Sequence, residues 1–220
     1  MCGKFTQMLD WGALATLAEM HSVFGGAVET VMPMRFATVV RLNDAEIRET
    51  ARMRWGFVRM SANDPTARPD HIHARAETID SKPTFRESFE RRRGLLIVTT
   101  FNEGEEIAPR KTLQYTIVPR DDNSLAIAVV WERWINRNED ELLTFVIVTT
   151  PANALIGKIT DRMPAVLPES TWPKWLGEEP ATSDELKALL QPCDGDWEMR
   201  AQTKANPPPP KKPNPQLDLF

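Results

Sequence analysis

Apolar and polar residues change rhythm several times along this chain. Residues 10–20 repeat apolar positions at helical spacing behind Asp10, a side chain suited to cap a first turn, and predict a helix. Residues 35–42 predict a strand. From 47 to 57 the alternation is strict. Ile47, Glu49, Ala51, Met53, Trp55 and Phe57 share one face, and Arg48, Thr50, Arg52, Arg54 and Gly56 the other. The arginine face reads as solvated. Residues 61–72 are polar with two prolines and predict a loop. Residues 83–93 predict a helix, with Phe85 and Phe89 four apart and Pro83 near the first turn. Four short apolar runs follow at 95–101, 113–118, 125–131 and 142–148, and predict strands. Asp121, Asp122, Asn123 and Ser124 predict a hairpin-like turn between two of them. Short helices are predicted at 168–176 and 183–190. This order of elements predicts one α+β domain over residues 1–200, with a mainly antiparallel, barrel-like sheet flanked by helices.

Composition narrows the options. The chain has 220 residues, 41% hydrophobic and 26% charged, with a net charge of −4. That suffices for one substantial core and excludes a polycation, so any nucleic-acid site must be a local patch. Two cysteines make no disulfide framework and suit a reducing cytoplasm. No basic start followed by an apolar run marks a signal peptide, and no stretch reaches transmembrane length. The three histidines and two cysteines show no metal-ligand spacing, and no cofactor motif appears.

The chemistry concentrates at the start. In Met1-Cys2-Gly3 a small second residue permits removal of Met1, leaving Cys2 with an α-amine and a thiol on adjacent carbons. The amine, with a pKa of roughly 7.7–8.0, is substantially neutral near pH 7 and can attack a carbonyl. An aldehyde would give a Schiff base, which the thiol could close into a thiazolidine. His21 reads as a helix-end residue, His71 as a loop residue and Cys193 as a bystander.

Four segments together resemble the SRAP (SOS-response-associated peptidase) family. They are Met1-Cys2-Gly3-Lys4-Phe5; Arg54-Trp55-Gly56-Phe57-Val58; His73-Ala74-Arg75-Ala76-Glu77-Thr78 followed by Lys82-Pro83; and Thr160-Asp161-Arg162-Met163-Pro164 preceded by Thr149-Thr150-Pro151-Ala152-Asn153. The resemblance covers residues 1 to about 177. It implies a protein that binds single-stranded DNA and joins its N-terminal cysteine to the aldehyde of an abasic site, shielding the lesion, with an associated self-processing peptidase activity. It implies Cys2 as nucleophile and Glu103 as acid/base, with Arg75 and Arg162 holding phosphate or building the pocket.

The resemblance is broken at the centre. The family's Asn stands as His73, its His as Thr160, and its Trp after the glutamate as Gly104. A threonine hydroxyl can position water but does not titrate near neutrality. Two roles stay open for His73: a general acid moved from the Thr160 position, or a hydrogen-bond partner that orients the amine.

Candidate DNA-binding cations are Lys4, Arg35, Arg52, Arg54, Arg75, Arg86 and Arg162. Periodicity places Trp55 in the core, whereas the resemblance places it in the groove as a stacking ring. Beyond Asn206 a proline-rich spacer ends in Gln216, Leu217, Asp218, Leu219 and Phe220, which resembles the peptide that docks bacterial replication proteins on the sliding clamp. This reading predicts a cytoplasmic, nucleoid-associated enzyme. A thiol peptidase acting on proteins and a catalytically impaired DNA- or clamp-binding accessory protein are the rivals.

Overall fold

The apolar runs at 95–98, 125–131 and 142–148 are buried on both faces, and this explains why they do not alternate. In the computed structural model, which describes residues 2–8, 28–66, 69, 71–121 and 123–202, Leu95 and Ile97 enter one core while Leu96 and Val98 enter another. The strands are β1 (Lys4–Met8), β2 (Val28–Val31), β3 (Phe36–Leu42), β4 (Arg48–Trp55), β5 (His73–Arg75), β6 (Arg93–Val98), β7 (Thr100–Ala108), β8 (Lys111–Pro119), β9 (Leu125–Ile135), β10 (Glu141–Pro151), β11 (Arg162–Pro164) and β12 (Trp197–Ala201).

Strands β4, β3, β6 and β9 pair in that order, and β10 joins both ends. The β10–β9 ladder is antiparallel, and the short β10–β4 contact, Thr144 to Arg54 and Phe145 to Trp55, is parallel. The result is a closed barrel with no free edge among these five strands. β5 and β11 extend β10 beyond it. A second antiparallel sheet runs β12-β8-β7-β1-β2. Buried Gln7 ties the two sheets together. Its amide donates to the carbonyls of Thr38 (2.9 Å) and Ile97 (3.0 Å) and accepts from the Thr38 N–H (3.1 Å). Phe5, Phe101 and Ile117 of the second sheet share a core with Met53, Trp55 and Phe145 of the barrel.

Helices α1 (Arg86–Arg91), α2 (Trp172–Leu176) and α3 (Ser183–Leu189) cover the other core, with Phe85, Phe89, Trp172 and Trp175 packed on the barrel wall. Truncating a ring such as Phe89 to Ala in so closed a site would destabilise the fold by about 3–5 kcal/mol. Gly177, at φ 106°, ends α2 in the left-handed conformation open to glycine. Thr182 and Glu185 form a reciprocal cap on α3.

The α+β class with a mostly antiparallel, barrel-like sheet is what the apolar rhythm predicts. Three expectations need correction. The run at 95–101 is two strands, β6 and β7, because the chain turns at Thr99 from one sheet to the other, its N–H donating to the Thr6 carbonyl at 2.9 Å. The turn at 121–124 closes no hairpin, since β8 and β9 belong to different sheets. The arginine face of β4 is solvated only at Arg52. Arg54 is buried under the following loop and donates to the Pro65 carbonyl at 2.6 Å, and Arg48 is clamped by Glu178. The helix predicted at 10–20, His21, and the tail from residue 203 with its docking peptide lie outside the described residues.

Candidate active site

Cys2 is fully buried at the head of β1. The register of β1 against β7 sets Lys4 opposite Asn102 and Phe5 opposite Phe101. One step on, the same register brings Glu103 beside the start of the chain. Glu103 is also fully buried, and the Cys2 backbone N–H beside its carboxylate favours the charged form. Burial pushes this carboxyl up to about 7. The positive charge at the chain's start and the Cys2 N–H hold it back, while Asp161 adds a push upward. Glu103 therefore exchanges a proton near neutrality, next to the nitrogen that would become the α-amine.

The thiol behaves differently. Burial, reinforced by the Glu103 charge, pushes the Cys2 thiol up to about 12 against hydrogen bonds from the Lys4 and Asn102 backbones. Sγ lies 3.5 Å from the Lys4 carbonyl oxygen. It remains a thiol at pH 7, far from the thiolate of a cysteine peptidase.

His73 comes from β5, which runs parallel to β10 with His73 opposite Ile147. Its Nε2 lies 2.7 Å from the Cys2 carbonyl oxygen. Burial pushes the imidazole down to about 4, so the ring is neutral at pH 7 and Nε2, facing a carbonyl, is the donor. Trp55 packs at the edge of the same ring, with centroids 6.0 Å apart. Its Nε2 is thus committed to the cysteine's carbonyl.

An open cleft of about 760 Å3 begins at Gly3 and is lined by Lys4, Met32, Gly104, Gln114, Thr160 and Asp161, among others. The structure thus brings together Cys2, His73 and Glu103, with Thr160 on the cleft wall. The cations divide into two sets. Arg35 and Arg75 are exposed, and half-buried Lys4 reaches Gln202 at 3.4 Å. Arg54 and Arg162 are interior. Arg162 grips both Glu77 carboxylate oxygens and donates to the Thr149 carbonyl at 2.7 Å, so its guanidinium is committed to the protein. Trp55 is fully buried, its indole N–H donating to the Ile72 carbonyl at 2.8 Å. As placed, these three build the wall and offer no free face to a strand. Asp161 and the Asn102 N–H on the sulfur were not singled out from sequence. Asp161 sat in view beside Thr160, whereas a backbone donor leaves no sequence signal. Among the described residues no group of His, Cys, Asp and Glu could hold a metal ion, and no helix is long and apolar enough to cross a membrane.

Comparison with known proteins gives the same picture at the level of family. The family model described as "SOS response associated peptidase (SRAP)" matches residues 1–205. The abasic site processing protein YoqW of Bacillus subtilis is 31% identical over 222 residues, covering 99% of this chain and 98% of its own. The abasic site processing protein YobE of the same organism is 27% identical, with 89% and 91% covered. A crystal structure of a Bordetella bronchiseptica protein superposes with a TM-score of 0.77 at 18% identity, over 92% of this chain and all of that one, and shares the fold. With its family model matched over almost the whole length and a relative at 31% identity end to end, the chain belongs to the SRAP family.

Proposed function

We propose that this protein captures abasic sites in single-stranded DNA by closing a thiazolidine between Cys2 and the ring-opened sugar aldehyde, once Met1 has been removed. One observation carries the reading. Glu103, a buried carboxyl pushed up to about 7, lies beside the nitrogen that removal of Met1 would free. Family membership and relatives named for abasic site processing support the substrate.

The steps balance with groups at hand. The neutral amine attacks the aldehyde carbon, and the carbonyl oxygen takes a proton to give a carbinolamine. Protonated Glu103 donates to the departing hydroxyl, which leaves as water, and the C=N bond forms. The thiol then adds across that bond, sulfur to carbon and its proton to nitrogen by way of the Glu103 carboxylate. A thiol held protonated up to about 12 suits this order, because the amine must act first. The same facts speak against a thiol peptidase, since burial keeps the sulfur protonated and the His73 Nε2 is engaged by the Cys2 carbonyl. The associated self-processing, hydrolysis of the Met1–Cys2 amide, would use the same carboxyl as acid/base.

Exposed Arg35 and Arg75 are the cations we assign to phosphate. With a net charge of −4, affinity for the strand is modest and salt-sensitive. The C-terminal Gln216, Leu217, Asp218, Leu219 and Phe220 would dock on a sliding clamp and bring the domain to replicating single strands. Deleting 216–220 abolishes clamp capture in a pull-down and leaves adduct formation intact.

Intact mass tests the central claim. The mature protein lacks Met1, and incubation with an abasic oligonucleotide adds the oligonucleotide mass minus one water. A Cys2→Ala protein gains no stable adduct. Retention of Met1 in the active preparation, or an unchanged mass with abasic DNA, overturns the reading.

A further inference from the structure

Building on the trapping reading above, we infer that the cleft beside Cys2 receives a nucleobase flanking the lesion and favours one bearing an exocyclic amino group, adenine, cytosine or guanine, over thymine. The electrostatics of the cleft are wrong for phosphate. Asp161 and Glu106 line it, and Lys4, the cation that lines it with them, already reaches Gln202. The exposed guanidinium groups of Arg35 and Arg75 are not part of this lining. Carboxylates at a cleft wall repel a phosphate and accept from an amino group.

Gly104 gives the floor its shape. It sits inside β7, where a glycine weakens a strand and commonly marks a close approach. A Cβ there would stand 2.8 Å from the Gln114 Nε2 and 2.5 Å from the Thr112 Cγ2. These two side chains therefore occupy the space where any other residue would begin, and the Gln114 carboxamide lies across β7 as part of the cleft floor. A carboxamide presents a donor and an acceptor side by side and can hold the edge of any base; the carboxylates of Asp161 and Glu106, which only accept, set the preference for an amino group over the carbonyl oxygens of thymine. Met32, half exposed on the cleft wall, supplies an apolar, polarizable surface for the face of a base.

The test times adduct formation on single strands whose abasic site is flanked on both sides by cytosine, by thymine or by base-free tetrahydrofuran spacers. Comparing two pyrimidines removes the difference in stacking between purine and pyrimidine. The parent is expected to react about fivefold faster in the cytosine context than in the thymine context, the low end of what one good base-edge contact discriminates. In Glu106→Gln and in Asp161→Asn, changes at exposed positions that turn an acceptor-only group into an ambivalent one, the cytosine-to-thymine ratio falls toward one, whereas Gln114→Leu slows both contexts alike. Equal rates in the parent, or a ratio that survives both carboxylate substitutions, overturn the subsite and leave trapping standing. Absence of adduct with every oligonucleotide, spacer-flanked included, instead overturns the trapping reading.

Discussion

The His73 Nε2 lies 2.7 Å from the carbonyl oxygen of Cys2, so the imidazole holds the residue whose nitrogen and sulfur are to react. With its pKa pushed down to about 4 by burial, the ring is neutral at pH 7 and its Nε2 proton is engaged by that carbonyl. Of the two roles open to His73 from sequence, this geometry supports positioning. His73→Asn keeps an N–H donor and is expected to form adduct within a few-fold of the parent rate. His73→Ala leaves the carbonyl unheld and slows the reaction by about 10²-fold, the scale of a lost near-attack geometry. Single-turnover rates on an abasic oligonucleotide decide between them. If Asn is as slow as Ala, the ring supplies a proton after all.

Two buried groups in contact with the same residue give opposite pH dependences of stability. The folded-state pKa of His73 lies below its ordinary value of 6.5. Its contribution is present above pH 6.5 and lost as pH falls toward 4. Glu103 is raised from 4.5 to about 7, so the folded state binds the extra proton and gains stability as pH falls through that window. In the parent the two partly cancel. Relative to parent, His73→Asn is expected to gain stability on going from pH 7 to pH 5, and Glu103→Gln to lose it. Urea midpoints at pH 7, 6 and 5 check this, and slopes of the same sign in both variants would contradict the assignment.

Glu103 also sets the kinetic pH profile. The carboxyl must be protonated to expel water, so the rate falls as pH rises past about 7. The Cys2 amine imposes the opposite limb, since it must be neutral. Glu103→Gln keeps the size of the side chain and removes the proton exchange. It is expected to slow adduct formation by about 10²–10⁴-fold and to abolish the alkaline fall. Rate against pH with an abasic oligonucleotide measures both. An alkaline fall that persists in Glu103→Gln would belong to another group.

Much of this was legible in the residues. Apolar runs at 125–131 and 142–148 became strands because buried β structure demands continuous apolar sequence, and 113–118 became one with a single buried side chain, Ile117. The shorter pieces were hidden. His73–Arg75 and Arg162–Pro164 are three residues each, too short for any period to show, yet they carry His73 and Arg162. β1 is polar at Lys4, Thr6 and Gln7, because Gln7 spends its amide on backbone groups of two other strands. Residue chemistry pointed to Cys2, and the family resemblance to Glu103 and His73. Neither revealed that Arg54 and Arg162 are spoken for by Pro65 and Glu77, since a cation's partner is set by which loop folds over it.

Arg162 offers a test of that last distinction. Its guanidinium, almost buried, spans Glu77 and the Thr149 carbonyl and so pins the turn that follows His73 to strand β10. Arg162→Ala strands the carbonyl and frees a half-exposed carboxylate. The expected loss is about 2–3 kcal/mol of stability, at the low end for a broken buried pair because Glu77 can be rehydrated. Arg162→Lys restores charge but not the bidentate grip, and recovers part of it. Because the guanidinium is engaged inside the protein, affinity for an undamaged single strand should change less than about twofold, and the slope of affinity against salt should not change, whereas Arg75→Ala lowers both. Urea titration and binding measured between low and moderate salt separate the roles. A salt slope reduced by about one in Arg162→Ala, with stability intact, would return this residue to the DNA surface.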